Sequence, residues 1–267
     1  MKPIVRTVTG FISVKDFPKL NKLLKDILEI KSKFIESGYE VQTIIITTDI
    51  LEKTSLNSLR DHNLFLSEID ANEFISITHL GALFNVNLDF KMEEMIKDFF
   101  FKFKKPYLTI DAGKDMASYD LCLIGARICK AIADEDPFEC KRFAVYGGVS
   151  ESTPFYPASR VFDNSMNFAI GMQCSNLAVE EARLSNNDYN IYERELRARM
   201  ESEFETVENL IPSELKHKFI GFDTSLAPFP SDNFFDCKRN KDNAWKTLWK
   251  QWDASNLQII DTSYERE

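Results

Sequence analysis

Two stretches decide the fold class: Ile4-Val5-Arg6-Thr7-Val8-Thr9-Gly10-Phe11-Ile12 and Glu40-Val41-Gln42-Thr43-Ile44-Ile45-Ile46-Thr47-Thr48. Both are rich in β-branched residues and the first alternates in type, as strands do. Between them Phe17, Leu20, Leu23, Leu24, Ile27, Leu28 and Phe34 recur mostly every three or four residues. That spacing is one apolar face of a helix, opened by Asp16 and Pro18 and closed by Gly38. The consecutive isoleucines suit a strand covered on both faces. Strand, helix, strand is the repeating unit of a mostly parallel sheet flanked by helices, so the expected class is α/β.

Outward from this unit, a polar helix near 55–67 leads to a third strand, Glu73 to Leu80. Residues 89–104 carry Phe90, Met95, Phe99, Phe100, Phe101 and Phe103, a helix with a wide apolar face. Residues 115–134 are apolar almost all round, the mark of a buried helix. Strands at about 141–148 and 166–173 are joined by a Ser, Thr and Pro loop in place of a helix. A charged helix over 188–210 shows a stripe from Tyr189 to Ile211, with Glu193/Arg197 and Glu195/Arg199 spaced to pair. Pro212 ends it, and a last strand runs from Lys218 to Phe222. Trp245, Trp249 and Trp252 share a face of a short helix near 243–253. The organisation is an α/β domain over 1–232 and a Trp-rich tail over 233–267.

In 267 residues, 44% are hydrophobic and 12% aromatic, enough for a sizeable core and contrary to disorder. The net charge of −9 argues against general nucleic-acid binding, which rests on Lys and Arg neutralising phosphates. No apolar run reaches the roughly 20 residues of a membrane helix, and the first residues enter a strand instead of a signal peptide. A cytoplasmic setting is expected. The five cysteines include no Cys-x-x-Cys pair, which excludes a zinc ribbon or a thioredoxin-type motif. Their odd number fits reduced thiols. Cys122 and Cys129, seven apart on one helix face, read as small buried hydrophobes. The three histidines are scattered, so no His/Cys metal site is expected.

Two loops are unlike scaffolding. Gly147-Gly148-Val149-Ser150-Glu151-Ser152-Thr153-Pro154-Phe155-Tyr156-Pro157 begins at a strand end, where α/β folds place ligands. Its hydroxyls and carboxylate suit hydrogen bonding to a ligand, and its prolines equally suit a rigid turn. It is not a phosphate loop, since no Lys-Ser/Thr follows the glycines. Gly221-Phe222-Asp223-Thr224-Ser225-Leu226-Ala227-Pro228 is the second, with Asp223 either exposed at a strand end or making an Asx-turn with Ser225. Arg6 interrupts an apolar strand, and a buried Arg needs an anionic ligand or a carboxylate such as Asp223. His79 and Asp49 also fall at expected strand ends.

Val5-Arg6-Thr7-Val8-Thr9, Ser152-Thr153-Pro154-Phe155-Tyr156-Pro157-Ala158, Asn167-Phe168-Ala169-Ile170-Gly171 and Gly221-Phe222-Asp223-Thr224-Ser225-Leu226-Ala227-Pro228 occur in that order. In this order they resemble an uncharacterised family of prokaryotic and archaeal-type proteins of unknown function, over about residues 3–232. The resemblance implies a pyruvate formate-lyase-like α/β barrel, here incomplete or shortened, because members are longer and continue past the Ser-Leu-Ala-Pro segment. It does not imply glycyl-radical chemistry, for which the radical loop and active-site cysteines are missing from this sequence.

The expected function is the binding of a small anionic or hydroxylated ligand at the strand-end loops, by an enzyme of unspecified reaction or a ligand-processing protein. Arg6 would pair with an anion, Asp223 would serve as acid or base with Ser225 beside it, and His79, Ser150, Glu151, Ser152, Thr153 and Tyr156 would line the site. Two alternatives stand beside it: a non-catalytic sensor or assembly subunit using the Trp-rich tail and a second copy of the chain, and a divalent-metal site of Asp49, Asp111, Asp223 and Asp232. The sequence assigns no cofactor.

Overall fold

The computed structural model describes residues 2–48, 63–83, 100–112, 118–147, 155–156, 159, 166–186 and 188–225. Seven strands form one sheet: β1 (Ile4–Ile12), β2 (Val41–Thr48), β3 (Ile77–Leu83), β4 (Pro106–Asp111), β5 (Phe143–Tyr146), β6 (Asn167–Gln173) and β7 (Phe219–Ser225). The helices α1 (Leu20–Glu36), α2 (Asn63–Ala71), α3 (Tyr119–Glu135), α4 (Ser175–Leu184) and α5 (Tyr189–Asn209) accompany them among the described residues. The strand order is β5-β4-β3-β2-β1-β6-β7, so among the described residues the sheet is open and not closed into a barrel. Strands β1 to β5 are parallel, β6 runs antiparallel to β1, and β7 is parallel to β6.

The register divides the sheet into two unlike faces. Val8 pairs with Ile44 and Ile170, Ile170 with Phe222, and Ile110 with Val145, all on the helical face. There Gly10 lets α1 approach closely: a methyl group at that position would lie 2.5 Å from the Ile27 side chain. α1 buries Leu20, Leu23, Leu24, Ile27, Ile30 and Phe34, each stabilising the fold by roughly 1.5–3 kcal/mol. α3 sets Gly125 against Val145, and α5 stacks Phe204 on Phe222 with ring centroids 4.9 Å apart. Gly38, at φ 83°, ends α1 in the left-handed region that glycine tolerates.

Several expectations shift. The third strand starts at Ile77 and not at Glu73, and the polar helix is seen over 63–71. Strand β4 and helix α4 were not expected from the sequence at all. α3 is buried only along Gly125, Ile128 and Ile132, leaving Tyr119, Cys122 and Leu123 exposed, because it covers an edge of the sheet on one side only. Cys122 is therefore exposed, whereas Cys129 is half-buried. On α5 the Glu193–Arg197 pair forms at 3.3 Å. Arg199 turns instead to α4, donating to Glu181 at 2.5 Å and Glu180 at 2.9 Å, while Glu195 pairs with Arg194. The helix near 243–253 lies outside the described residues.

Arg142, at the end of the 3-10 turn Pro137–Arg142, is a buried cation that the sequence reading passed over. It donates to the carbonyls of Phe103 at 2.5 Å and Pro106 at 3.2 Å, to that of Phe100, and to the Glu139 carboxylate. Its guanidinium carbon also stands 5.0 Å from the Phe100 ring centroid. One planar fork thus ties the segment leading into β4 to the start of β5. Replacing Arg142 by Ala would strand those carbonyls and Glu139, with an expected loss of about 3–5 kcal/mol in urea unfolding. Arg142→Lys is expected to restore only part of it, since one ammonium cannot serve the same set.

Candidate functional site

The second face of the sheet is buried and yet polar. Thr7, Thr9, Thr47, His79 and Thr109 lie on it with no solvent exposure, and Asp111 is buried beside them. Register brings them into line: Phe11 pairs with Thr47, Thr47 with His79 and His79 with Tyr107, while Thr7 pairs with Gly171 and Gly171 with Asp223. Strand threonines satisfy β propensity with Cβ branching, and each also carries a hydroxyl to this surface.

The cover over this face includes residues of the connection between β5 and β6. Ser159 bonds the Thr47 hydroxyl at 2.5 Å. Tyr156 packs edge-on against His79 at 5.5 Å and Tyr107 at 4.9 Å between ring centroids. The Phe155 ring rests on Gly171, where a methyl group would lie 2.5 Å from a ring carbon and 2.7 Å from the Thr7 methyl. Only a residue without a side chain allows that contact in β6.

His79 is the chemical centre of the face. Its Nε2 shares a hydrogen bond with Thr109 Oγ1 at 2.9 Å, and its Nδ1 has no hydrogen-bond partner of good geometry among the described residues. Burial pushes the imidazole down from 6.5 to about 4, opposed by the Ser159 backbone nearby. The ring is therefore neutral at pH 7. The Tyr156 hydroxyl is likewise buried without a partner, and burial raises its pKa, with Tyr107 adding to the effect. A neutral imidazole and a phenol with unused hydrogen-bonding capacity, set among hydroxyls, can exchange hydrogen bonds with an uncharged polar molecule.

The other expected site residues are dispersed. Arg6 is exposed and donates to Gln42 Oε1 at 3.0 Å. The register of β1 against β6 shifts between Val5 and Thr7, and this bulge at Arg6 re-aims the side chain away from the core. Its expected partner, Asp223, is half-buried on β7, and its Oδ1 accepts from the Thr224 backbone N–H at 2.7 Å. Ser225 ends β7, paired with Gln173. Because β6 and β7 run opposite to β1, their carboxyl ends lie level with the start of β1. The connection after β5 leaves from the other end of the sheet, yet Phe155 returns to Gly171, the pairing partner of Asp223. Ser150, Glu151, Ser152 and Thr153 lie outside the described residues, as do Asp49 and Asp232. Among the described residues, no three His, Cys, Asp or Glu side chains come together as a metal would require, and no helix is long and apolar enough to cross a membrane.

Tyr107, Thr109, Thr47 and Ser159 complete the face and were missed. The alternating Tyr107-Leu108-Thr109-Ile110-Asp111 is a strand signal that could have found the first two. A family model described as Uncharacterised ACR (DUF711) matches residues 2–234. The chain belongs to this family. The DUF711 match takes in all seven strands, both distinctive loops and the polar face, in agreement with the uncharacterised family that the sequence motifs resemble. No curated protein matches the chain.

Two measurements test the site's construction. Between pH 6.5 and 4 the unfolded chain binds a proton at His79 that the folded chain refuses, so stability falls as pH falls through that range. The expected loss is about 3 kcal/mol from this residue, read as the difference between the unfolding curves of the native chain and His79→Gln; parallel pH profiles would overturn the assignment. Gly171→Ala is expected to cost about 1–3 kcal/mol by overpacking, and less when Phe155→Ala is already present. Equal costs in the two backgrounds would show that Phe155 does not press on Gly171.

Proposed function

We propose that this DUF711 protein binds a small, uncharged, hydroxylated molecule at the polar face of its sheet, next to His79 and Tyr156. The observation that carries the reading is a pair of buried polar atoms on neighbouring rings, His79 Nδ1 and the Tyr156 hydroxyl, neither of which has a hydrogen-bond partner of good geometry among the described residues. Buried polar atoms are ordinarily satisfied, and a ligand hydroxyl that both donates and accepts would satisfy both. Of the anionic and hydroxylated ligands that the sequence admits, the hydroxylated one fits better. Arg6 is turned to solvent, Arg142 is committed to backbone carbonyls, and His79 is neutral, so none of these supplies a cation. The buried Asp111 carboxylate on the same face favours donors over anions.

In this reading His79 and Tyr156 touch the ligand, Thr109 orients the imidazole through Nε2, and Ser159 fixes the cover through Thr47. Asp223 with Ser225, and the 150–153 segment, remain the proposed lining at the margins. The resemblance of the ordered sequence motifs supports a pyruvate formate-lyase-like architecture in which this face would line the interior. The free thiols of Cys122, Cys129, Cys140 and Cys174 support a cytoplasmic setting.

A thermal-shift panel tests the ligand class, with neutral pentoses, hexoses and linear polyols set against dicarboxylates and inorganic phosphate. Stabilisation by a neutral hydroxylated compound, lost in Tyr156→Phe and weakened in Thr109→Val, is the expected result. Stabilisation by the anions alone would overturn the reading. A second reading, an assembly subunit, is favoured by the exposed apolar side chains Tyr119, Leu123 and Phe138 around α3. Native mass spectrometry of the full chain separates the two, since a retained small mass supports the first and a ligand-free oligomer the second.

A further inference from the structure

We propose that Cys129 and Cys140 form a reversible redox pair that closes a disulfide when the protein meets a hydroperoxide. Cys129 lies in the C-terminal half of α3, and Cys140 in the 3-10 turn that follows it. Asp136 and Pro137 make that turn: the Asp136 carboxylate accepts from the Phe138 backbone N–H at 2.9 Å, and the proline presets the backbone of the first position. The chain thereby folds back on α3, and the Cys140 thiol donates to the Cys129 carbonyl at 3.4 Å. That contact seats the Cys140 thiol against the residue that carries the second thiol.

Both cysteines are half-buried. The other described cysteines differ. Cys122 is exposed and lies seven residues before Cys129 on the same helix, about 10 Å along the axis, beyond disulfide reach. Cys174 is buried, and burial pushes its thiol up to about 12, which leaves it inert.

The order of events follows from the hydrogen bonds. The Cys140 thiol is engaged as a donor to the Cys129 carbonyl, so in the proposed order Cys129 reacts first. Its sulfur attacks one peroxide oxygen, the O–O bond breaks, and water or an alcohol leaves, giving a sulfenic acid on Cys129. The Cys140 sulfur then attacks the Cys129 sulfur, the S–O bond breaks, and the departing hydroxyl leaves as water with the Cys140 proton. Two electrons pass from the pair of thiols to the peroxide. The product staples α3 to the turn that carries Arg142 and so restrains the clamp holding β4 to β5.

The test treats the full chain with a small excess of hydrogen peroxide, then alkylates and maps the peptides. The expected result is one cross-linked peptide joining Cys129 to Cys140, lighter by about 2 Da than the reduced pair and restored by a dithiol. In Cys140→Ser, the sulfenic acid on Cys129 should persist and be captured by dimedone. In Cys129→Ser, Cys140 should remain a thiol. Folded, oxidised protein in which Cys129 and Cys140 both alkylate freely would overturn the proposal, as would oxidation confined to dimers linked through Cys122.

Discussion

The Phe155 ring lying on the bare backbone of Gly171 is the contact through which the connection after β5 is held on the sheet. An α/β sheet of this kind must cover both faces, and here the helices α1, α3 and α5 are all on one of them. The other face would be wet if the chain between β5 and β6 ran clear of it. Instead Phe155 settles over Gly171 of β6, Tyr156 over His79 of β3 and Tyr107 of β4, and Ser159 on Thr47 of β2. Because that surface is made of threonine hydroxyls, an imidazole and carboxylates, covering it creates a dry but polar layer. There, unmade hydrogen bonds are costly and hydrogen bonds to a guest count for more than in water.

The two faces divide the work between them. The helical face is packed by Ile, Leu, Val and Phe at close quarters, with Gly10 allowing α1 to press on β1 and Phe204 stacking on Phe222. Charged side chains brace this side, as where Arg142 serves the carbonyls ahead of β4 and Arg199 joins α5 to α4. The polar face carries the His79 imidazole and the Tyr156 hydroxyl side by side. A buried neutral His79 costs stability in acid, and such a cost is tolerated where the group has a use beyond packing.

The alternation of β1, the isoleucines of β2 and the three- and four-residue spacing of α1 were legible because each is a local pattern enforced by burial over many residues. So were α5 with its Glu193–Arg197 pair, β5 and β6. Strand β4 was not legible: it is a six-residue stretch opened by Pro106, directly after a run of phenylalanines and lysines that reads as helix. Losing β4 also lost Tyr107 and Thr109, without which His79 looks like an isolated residue near a strand end. Arg6 misled for a related reason. Its interruption of an apolar strand suggests a buried charge, but a bulge against β6 rotates it outward, and a bulge leaves no mark in a single strand's composition.

The sequence by itself determined the α/β class, the helical face and the membership implied by its ordered motifs, since these depend on periodicity and short local segments. Only the tertiary structure decided that β6 and β7 turn back along β1, placing Asp223 level with the start of β1 instead of beside the β5 loop. Only it decided that Thr47, His79 and Thr109 share a surface with Tyr156 across it. A threonine in a strand has the same propensity whichever face it occupies. The register between strands distant in sequence settles that face, and register is fixed by the packing of the whole sheet.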